Sequence, residues 1–273
     1  MKHKRILTVQ DISCVGQCSI TVALPILSAC GIETAILPTA VLSTHTGGNW
    51  RPYIRDLSED IPAVAANWQG AGIRFDGIYT GYLGNSAIVD RLIGMLPICT
   101  ASGAKLIVDP AMADSGKLYA GFDADYAKEM EKLCERADYL LPNVTEACIL
   151  TGTPYREDYD SAFVEELLSK LYERFQCTII LTGVNCSDGE ISVEVYGENY
   201  SDRYVNRRLH RSYHGTGDIF ASVFTGSLLK GCDIMQSVQR AADFVCSCIE
   251  ETEADPEHWY GVCFEPLLHQ LHL

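Results

Sequence analysis

The chain is 273 residues long and 47% hydrophobic, enough for one large α/β domain or two smaller ones. With 36 Asp and Glu against 21 Lys and Arg, the formal charge is −15. That balance argues against non-specific nucleic-acid binding, which rests on basic residues neutralising phosphates.

The basic opening, Met1 to Arg5, runs into a short apolar stretch broken by Gln10 and Asp11. It reads as a strand over Ile6–Val9 and not as a signal peptide. From Ile20 to Cys30 the pattern is helical, with Gly31 as the stop signal. Thr34–Pro38, Gly77–Thr80 and Lys105–Val108 read as strands, the last ending at Asp109-Pro110. A helix over Tyr126–Ala137 precedes a strand over Tyr139–Leu141, which ends at Pro142-Asn143. Ser161–Phe175 is strongly helical, and Thr178–Leu181 is a β-branched strand ending at Thr182-Gly183. After Asp188-Gly189 the character changes. Glu190–Tyr196 alternates apolar and polar residues, and polar strand-like residues run on to Tyr213, as in an antiparallel extension. Helices follow over Asp218–Leu229 and Met235–Glu251, and the aromatic region Trp259–Phe264 reads as a packed tail.

No linker, repeat or low-complexity tract divides the chain, so residues 1–273 read as one domain. Strand–helix alternation implies a mostly parallel sheet with helices on both faces. No apolar run approaches the roughly 18 residues a membrane span needs. The twelve cysteines are scattered, and Cys30, Cys99, Cys134, Cys148 and Cys177 sit among apolar neighbours. Cys246 and Cys248 have no second pair at zinc-ligand spacing. Buried reduced thiols in a cytoplasmic protein are the expectation.

His214-Gly215-Thr216-Gly217-Asp218 is the most informative segment. Its glycines let backbone approach a bound group, and the apolar residues after it start a helix. Free N–H groups at a helix N-terminus hold phosphate or a developing anion. A carboxylate beside such a site reads as a base that takes a proton from an attacking hydroxyl. The plainer reading is a glycine turn with Asp218 as helix N-cap or first-turn residue. Asp11, Asp109, Asn143 and Thr182 each fall just past a strand end, at the edge where open parallel sheets bind ligands.

In order, these motifs resemble the ribokinase-like superfamily, and within it the pyridoxal (vitamin B6) kinase family. The matching pieces are Ile6–Asp11, Ser43-Thr44-His45-Thr46-Gly47, Gly81-Tyr82-Leu83-Gly84, Asp109–Asp114, Leu141–Glu146 and Gly215–Asp218. The resemblance spans nearly the whole chain. It implies a three-layer fold and transfer of a phosphoryl group from ATP, with Mg²⁺, to the 5′-hydroxymethyl group of pyridoxamine, pyridoxal or pyridoxine. By the same resemblance Asp218 is the general base, and Gly215, Thr216 and Gly217 are the anion hole. Asp109, Asp114, Asn143, Glu146, Thr182 and Gly183 hold the nucleotide, with Asp109 and Glu146 toward the metal. Asp11, Ser43, His45, Thr46 and Tyr82 surround the pyridine ring. A homodimer and a monovalent cation such as K⁺ complete the expectation.

These residues keep bland readings beside the functional ones: Asp109-Pro110 as a turn, Asp114 as a solvated loop residue, Glu146 as a first-turn carboxylate, His45 as a hydrogen-bonded loop residue, Tyr82 as packing. Asp11 stands where many B6 kinases carry serine. It reads either as an acceptor for a protonated ring nitrogen or cationic aminomethyl group, tilting preference to pyridoxamine, or as a turn cap. Ala111–Gly121, with Gly116 and Gly121, is expected to form a lid over ATP. His214 has no assigned role. Hydroxymethylpyrimidine kinase shares the fold and chemistry and is the nearest rival; a non-catalytic nucleotide- or vitamin-binding protein on the same fold is the other.

Overall fold

The computed structural model describes residues 3–47, 51–186, 189–209, 213–255, 257, 258 and 260–272. The strands are β1 (Arg5–Ser13), β2 (Glu33–Leu42), β3 (Ile54–Asp56), β4 (Phe75–Thr80), β5 (Thr100–Val108), β6 (Ala113–Asp114), β7 (Lys117–Leu118), β8 (Tyr139–Leu140), β9 (Thr178–Asn185), β10 (Glu190–Gly197) and β11 (Tyr200–Arg207). The helices are α1 (Ile20–Ala29), α2 (Ile61–Gly70), α3 (Ser86–Cys99), α4 (Ala124–Cys134), α5 (Val144–Thr151), α6 (Ser161–Phe175), α7 (Thr216–Lys230) and α8 (Ile234–Glu253).

Nine strands form one sheet in the order β11-β10-β9-β8-β5-β4-β1-β2-β3. The run from β9 to β2 is parallel. Antiparallel β3 closes one edge and the β10–β11 hairpin extends the other. The fold is therefore the anticipated mostly parallel α/β sheet with a small antiparallel extension. Along each central strand successive side chains enter opposite cores, as the two-residue period requires. Leu7, Ile78, Val108 and Leu181 join one apolar cluster with α2 to α6, while Ile6, Tyr79, Ile107 and Ile180 join the other with α1, α7 and α8. Helices thus cover both faces and make three layers.

Local chemistry sets the element ends. Asp160 caps α6 by accepting the Phe163 N–H at 3.0 Å, and the 3.6-residue period buries Phe163, Val164, Leu167, Leu168, Leu171 and Phe175. Asp233 and Gln236 form a capping box on α8, and Gly231 ends α7 in the left-handed region.

Several expectations need correction. β3, α2, α3, α5 and the β6–β7 hairpin were not anticipated. β2 runs to Leu42 and β9 to Asn185, so Thr182 lies inside its strand, as Asp11 lies inside β1. β11 stops at Arg207, and residues 210–212 of the expected strand-like run lie outside the described residues. In the tail, Val262 and Phe264 are buried, and Trp259 lies outside the described residues. All five cysteines placed among apolar neighbours are buried, and none of the twelve is joined to another. Among the described residues no helix is long and apolar enough to cross a membrane.

Candidate active site

Chain order reverses between β1 and β4, because β1 continues to β2 on one side while β4, β5, β8 and β9 follow on the other. In such sheets the crevice beyond the carboxyl ends of the strands binds ligands. Here that edge opens into a cavity of about 750 Å³. Every anticipated site residue lines it except Ser43. Ser43 is exposed: its N–H donates to the Tyr53 carbonyl at 2.9 Å, and its Oγ accepts the Tyr53 N–H at 2.9 Å. It ties β2 to the approach of β3 and does not face the cavity.

The loop before α7 is built for close approach. Gly215 caps the helix at φ 89°, and a Cβ there would sit 2.0 Å from the Gln17 carbonyl oxygen. Thr216 and Gly217 occupy the first turn of α7, where N–H groups have no helical acceptor. Asp218 follows in the same turn. The Ser19 N–H donates to its carboxylate, while burial and the neighbouring Asp11 push its pKa up to about 7. Asp11 is 2% exposed and accepts the hydroxyls of Ser13, at 2.8 Å, and Ser19. Burial raises its pKa as well. Ser19 thus bridges the two aspartates from φ 54°, a conformation uncommon for serine. Sequence reading missed Ser19 because a lone serine before a helix gives no distinct signal.

Across the cavity, Glu146 is 1% exposed and spent on backbone. Its Oε1 accepts the N–H groups of Met112 at 2.9 Å and Ala113 at 3.4 Å, and its Oε2 accepts that of Asn143 at 2.9 Å. The Asn143 side chain returns the capping box to the Glu146 N–H at 3.0 Å and donates to the Ala113 carbonyl at 2.8 Å. Together they pin the segment that leaves β5 onto the start of α5. Asp109, half-buried, accepts the Ala111 N–H at 3.0 Å. Burial, then Glu146 and Asp218, hold its carboxyl well above the usual carboxylate range. Asp114 is exposed beside the Ser115–Gly116 turn of the β6–β7 hairpin. That hairpin is the form the expected lid segment takes; the Gly116 N–H donates to Thr145 Oγ at 3.0 Å. Thr182 Oγ donates to the Pro142 carbonyl at 3.3 Å, beside Gly183.

Glu146 and Asp218 raise the cost of ionising Asp109, a cost that a bound cation would offset. Among the described residues no group of three or more His, Cys, Asp or Glu could hold a metal on its own. An ion here would need oxygen ligands from a bound phosphate, with Asp109 the carboxylate placed to join them. Glu146, with its oxygens on three N–H groups, is a positioning carboxylate.

The Tyr82 ring stacks on Phe122 at 5.1 Å and 27°, and Phe122 stacks on Tyr126 at 3.7 Å and 4°. Of the three rings Tyr82 lines the cavity, with the other two stacked behind it. Buried His45 accepts the Gly47 N–H on Nδ1 at 3.1 Å and lies 5.2 Å from the His214 ring. Burial and His214 push the pKa of His45 down, so the ring is neutral near pH 7. His214 packs on Gly47, where a Cβ would come within 2.7 Å of its ring. Val193, Phe220, Ala242, Val245 and Ile249 give the cavity an apolar slot, and Arg207 and Arg208 also line the cavity. Sequence reading missed this slot because its residues come from β10, α7 and α8.

A family model described as phosphomethylpyrimidine kinase matches residues 24–263. A crystal structure of a putative phosphomethylpyrimidine kinase from Bacteroides thetaiotaomicron, in an orthorhombic form with pyridoxal, is 34% identical. It superposes with a TM-score of 0.93, covering 99% of this chain and 96% of that one. The pyridoxal kinase structure from Lactobacillus plantarum is 36% identical, with a TM-score of 0.91 and coverage of 98% and 96%. The thiamine biosynthetic bifunctional enzyme of Arabidopsis thaliana is 28% identical over 97% of this chain, which spans 52% of that enzyme's length.

Proposed function

The chain belongs to the phosphomethylpyrimidine kinase family, and from that premise we propose that it moves the γ-phosphoryl group of ATP onto the 5′-hydroxymethyl group of pyridoxal, pyridoxamine or pyridoxine. The observation that carries this reading is the meeting of three parts in one cavity: the Gly215–Gly217 N–H groups, the Asp218 carboxylate and the aromatic ring of Tyr82. An anion site, a base and a seat for a flat heteroaromatic ring are what this transfer requires.

The chemistry is positional. The pyridine ring lies against Tyr82 with its hydroxymethyl group toward Asp218. As the hydroxyl oxygen forms its bond to the γ-phosphorus, the bond from that phosphorus to the β,γ-bridging oxygen breaks and ADP leaves. Asp218 accepts the hydroxyl proton, and its pKa near 7 matches that task at neutral pH. The N–H groups of the first turn of α7 meet the charge of the moving phosphoryl group. The apolar slot between β10 and α8 receives the base, and the β6–β7 hairpin covers the phosphates from water. Mg²⁺, when bound with the nucleotide, would sit at Asp109 and neutralise phosphate charge.

Pyridoxal in the 34%-identical relative supports the vitamin over the pyrimidine. The family description favours the second reading, a hydroxymethylpyrimidine as the acceptor. A panel of the three vitamers and hydroxymethylpyrimidine with ATP, read by mass spectrometry of the products, separates them. Phosphorylated vitamer as the main product supports the proposal; phosphorylated pyrimidine as the main product replaces it.

A further inference from the structure

The C-terminal segment after α8 takes no part in the reaction proposed above, yet it reaches the loop that supports Asp218. His258, Gly261 and Glu265 lie over the turn between β1 and α1 and grip Gln17. Gln17 Nε2 donates to both Glu265 carboxylate oxygens, at 2.7 and 2.9 Å. Gln17 Oε1 lies 2.6 Å from His258 Nε2. An amide oxygen only accepts, so His258 Nε2 is the donor. Its Nδ1 then accepts the Cys263 thiol at 3.3 Å, and burial pushes that thiol up, so it keeps its proton. Gly261 admits the close contact: a Cβ there would lie 2.7 Å from Gln17 Cβ. The backbone N of Gln17 also lies against Gly261, 2.9 Å from where a Cβ would be, while the carbonyl of the same residue meets the anion loop. That carbonyl oxygen occupies the space a Cβ on Gly215 would need. Two residues later the Ser19 N–H reaches Asp218.

We propose that Gln17 is a positioning residue for phosphoryl transfer, through which the clamp of His258, Cys263 and Glu265 sets the anion loop at Gly215 and the Ser19 N–H on Asp218. The inference rests on the function proposed above. Gln17 is not among the residues lining the cavity, so its loss changes alignment more than binding. A misplacement of about an ångström at reacting groups costs rate.

The test compares Gln17→Ala, His258→Ala and the double variant by steady-state kinetics and by amide exchange of residues 213–220. The expected exchange in that segment rises about threefold or more in each single variant, while β4 is unchanged. The expected kcat falls on the order of tenfold, with KM for ATP and acceptor within about twofold. Residues of one clamp are coupled, so the double variant should lose no more than the weaker single variant. Should Gln17→Ala fail to fold, Gln17→Met keeps the chain length without the amide. Unchanged exchange in 213–220, or losses that add in the double variant, would overturn the proposal. A wild type that phosphorylates none of the panel overturns the functional reading, and the exchange data still decide the clamp.

Discussion

Glu146 accepts the Met112 N–H at 2.9 Å, and this bond joins the segment leaving β5 to the first turn of α5. With Ala113 and Asn143 it gives one buried carboxylate three backbone donors. The acid motif after β8 is thereby a brace between the segment leaving β5 and the start of α5, both of which line the cavity.

Removing that brace should be costly. Glu146→Ala leaves two buried N–H groups and one half-buried one without an acceptor, each worth about 1–3 kcal/mol when buried. Relaxation and water entry reduce the sum, so the expected loss is about 3–5 kcal/mol by urea denaturation. Glu146→Gln keeps one accepting oxygen and should lose about half as much. Equal stability of the alanine variant and wild type would contradict the bracing role.

The same carboxylate makes stability depend on pH. Burial lifts the Glu146 pKa from 4.5 to about 7, so the folded chain holds this proton more tightly than the unfolded chain. Its contribution is present in full below about pH 4.5 and is lost as pH rises to about 7. The ligand-free protein should therefore gain on the order of 1–3 kcal/mol from this group between pH 8 and pH 5. Glu146→Gln should flatten that slope in urea midpoints measured across the window. A slope unchanged by the substitution would assign it to other groups.

Asp11 bears by its bonds on the β1–α1 turn and by its charge on Asp218. Its oxygens take the Ser13 and Ser19 hydroxyls, in keeping with the turn-cap reading, which leaves less capacity for a ring nitrogen. Its charge is, after burial, the cause that raises Asp218. Asp11→Asn should move the acid limb of kcat/KM to lower pH, by about half a unit or more. An unmoved limb, or one shifted to higher pH, would show that the two carboxylates do not interact.

Gly215→Ala tests the loop geometry. An alanine would meet the Gln17 carbonyl and resist φ 89°. The expected result is a fall in kcat of about a hundredfold, the scale of losing an anion-hole donor, with a lowered melting temperature. Near-normal kcat would mean that the α7 N–H groups do not meet the transferred phosphoryl group.

How much was legible in the sequence follows from periodicity. Helix α6 was read to the residue because Asp160 caps a clean amphipathic stripe. Helix α5 was missed because it is eight residues long and buried nearly all round, so it has no polar face to set a period. Pro62 and Pro97 obscured α2 and α3, the first sitting in an opening turn and the second near a helix end. Two-residue strands such as β6 and β7 carry no alternation at all. At the site, the motif residues that share the cavity are legible because glycines and carboxylates stand out one by one. Ser43 stands apart from its motif neighbours, which line the cavity while it pairs with Tyr53. Ser19, Gln17 and the apolar slot depend on contacts between distant segments, which one sequence does not display.

The central claim is that Asp218 takes the proton from a hydroxymethyl group on a B6 vitamer. Its most direct test is ATP-dependent phosphorylation of pyridoxal, pyridoxamine and pyridoxine by wild type and Asp218→Asn. Wild type should turn over at least one vitamer, and the variant should lose about a thousandfold in kcat with KM little changed, the scale of a general base. Comparable kcat in the two proteins would contradict the account.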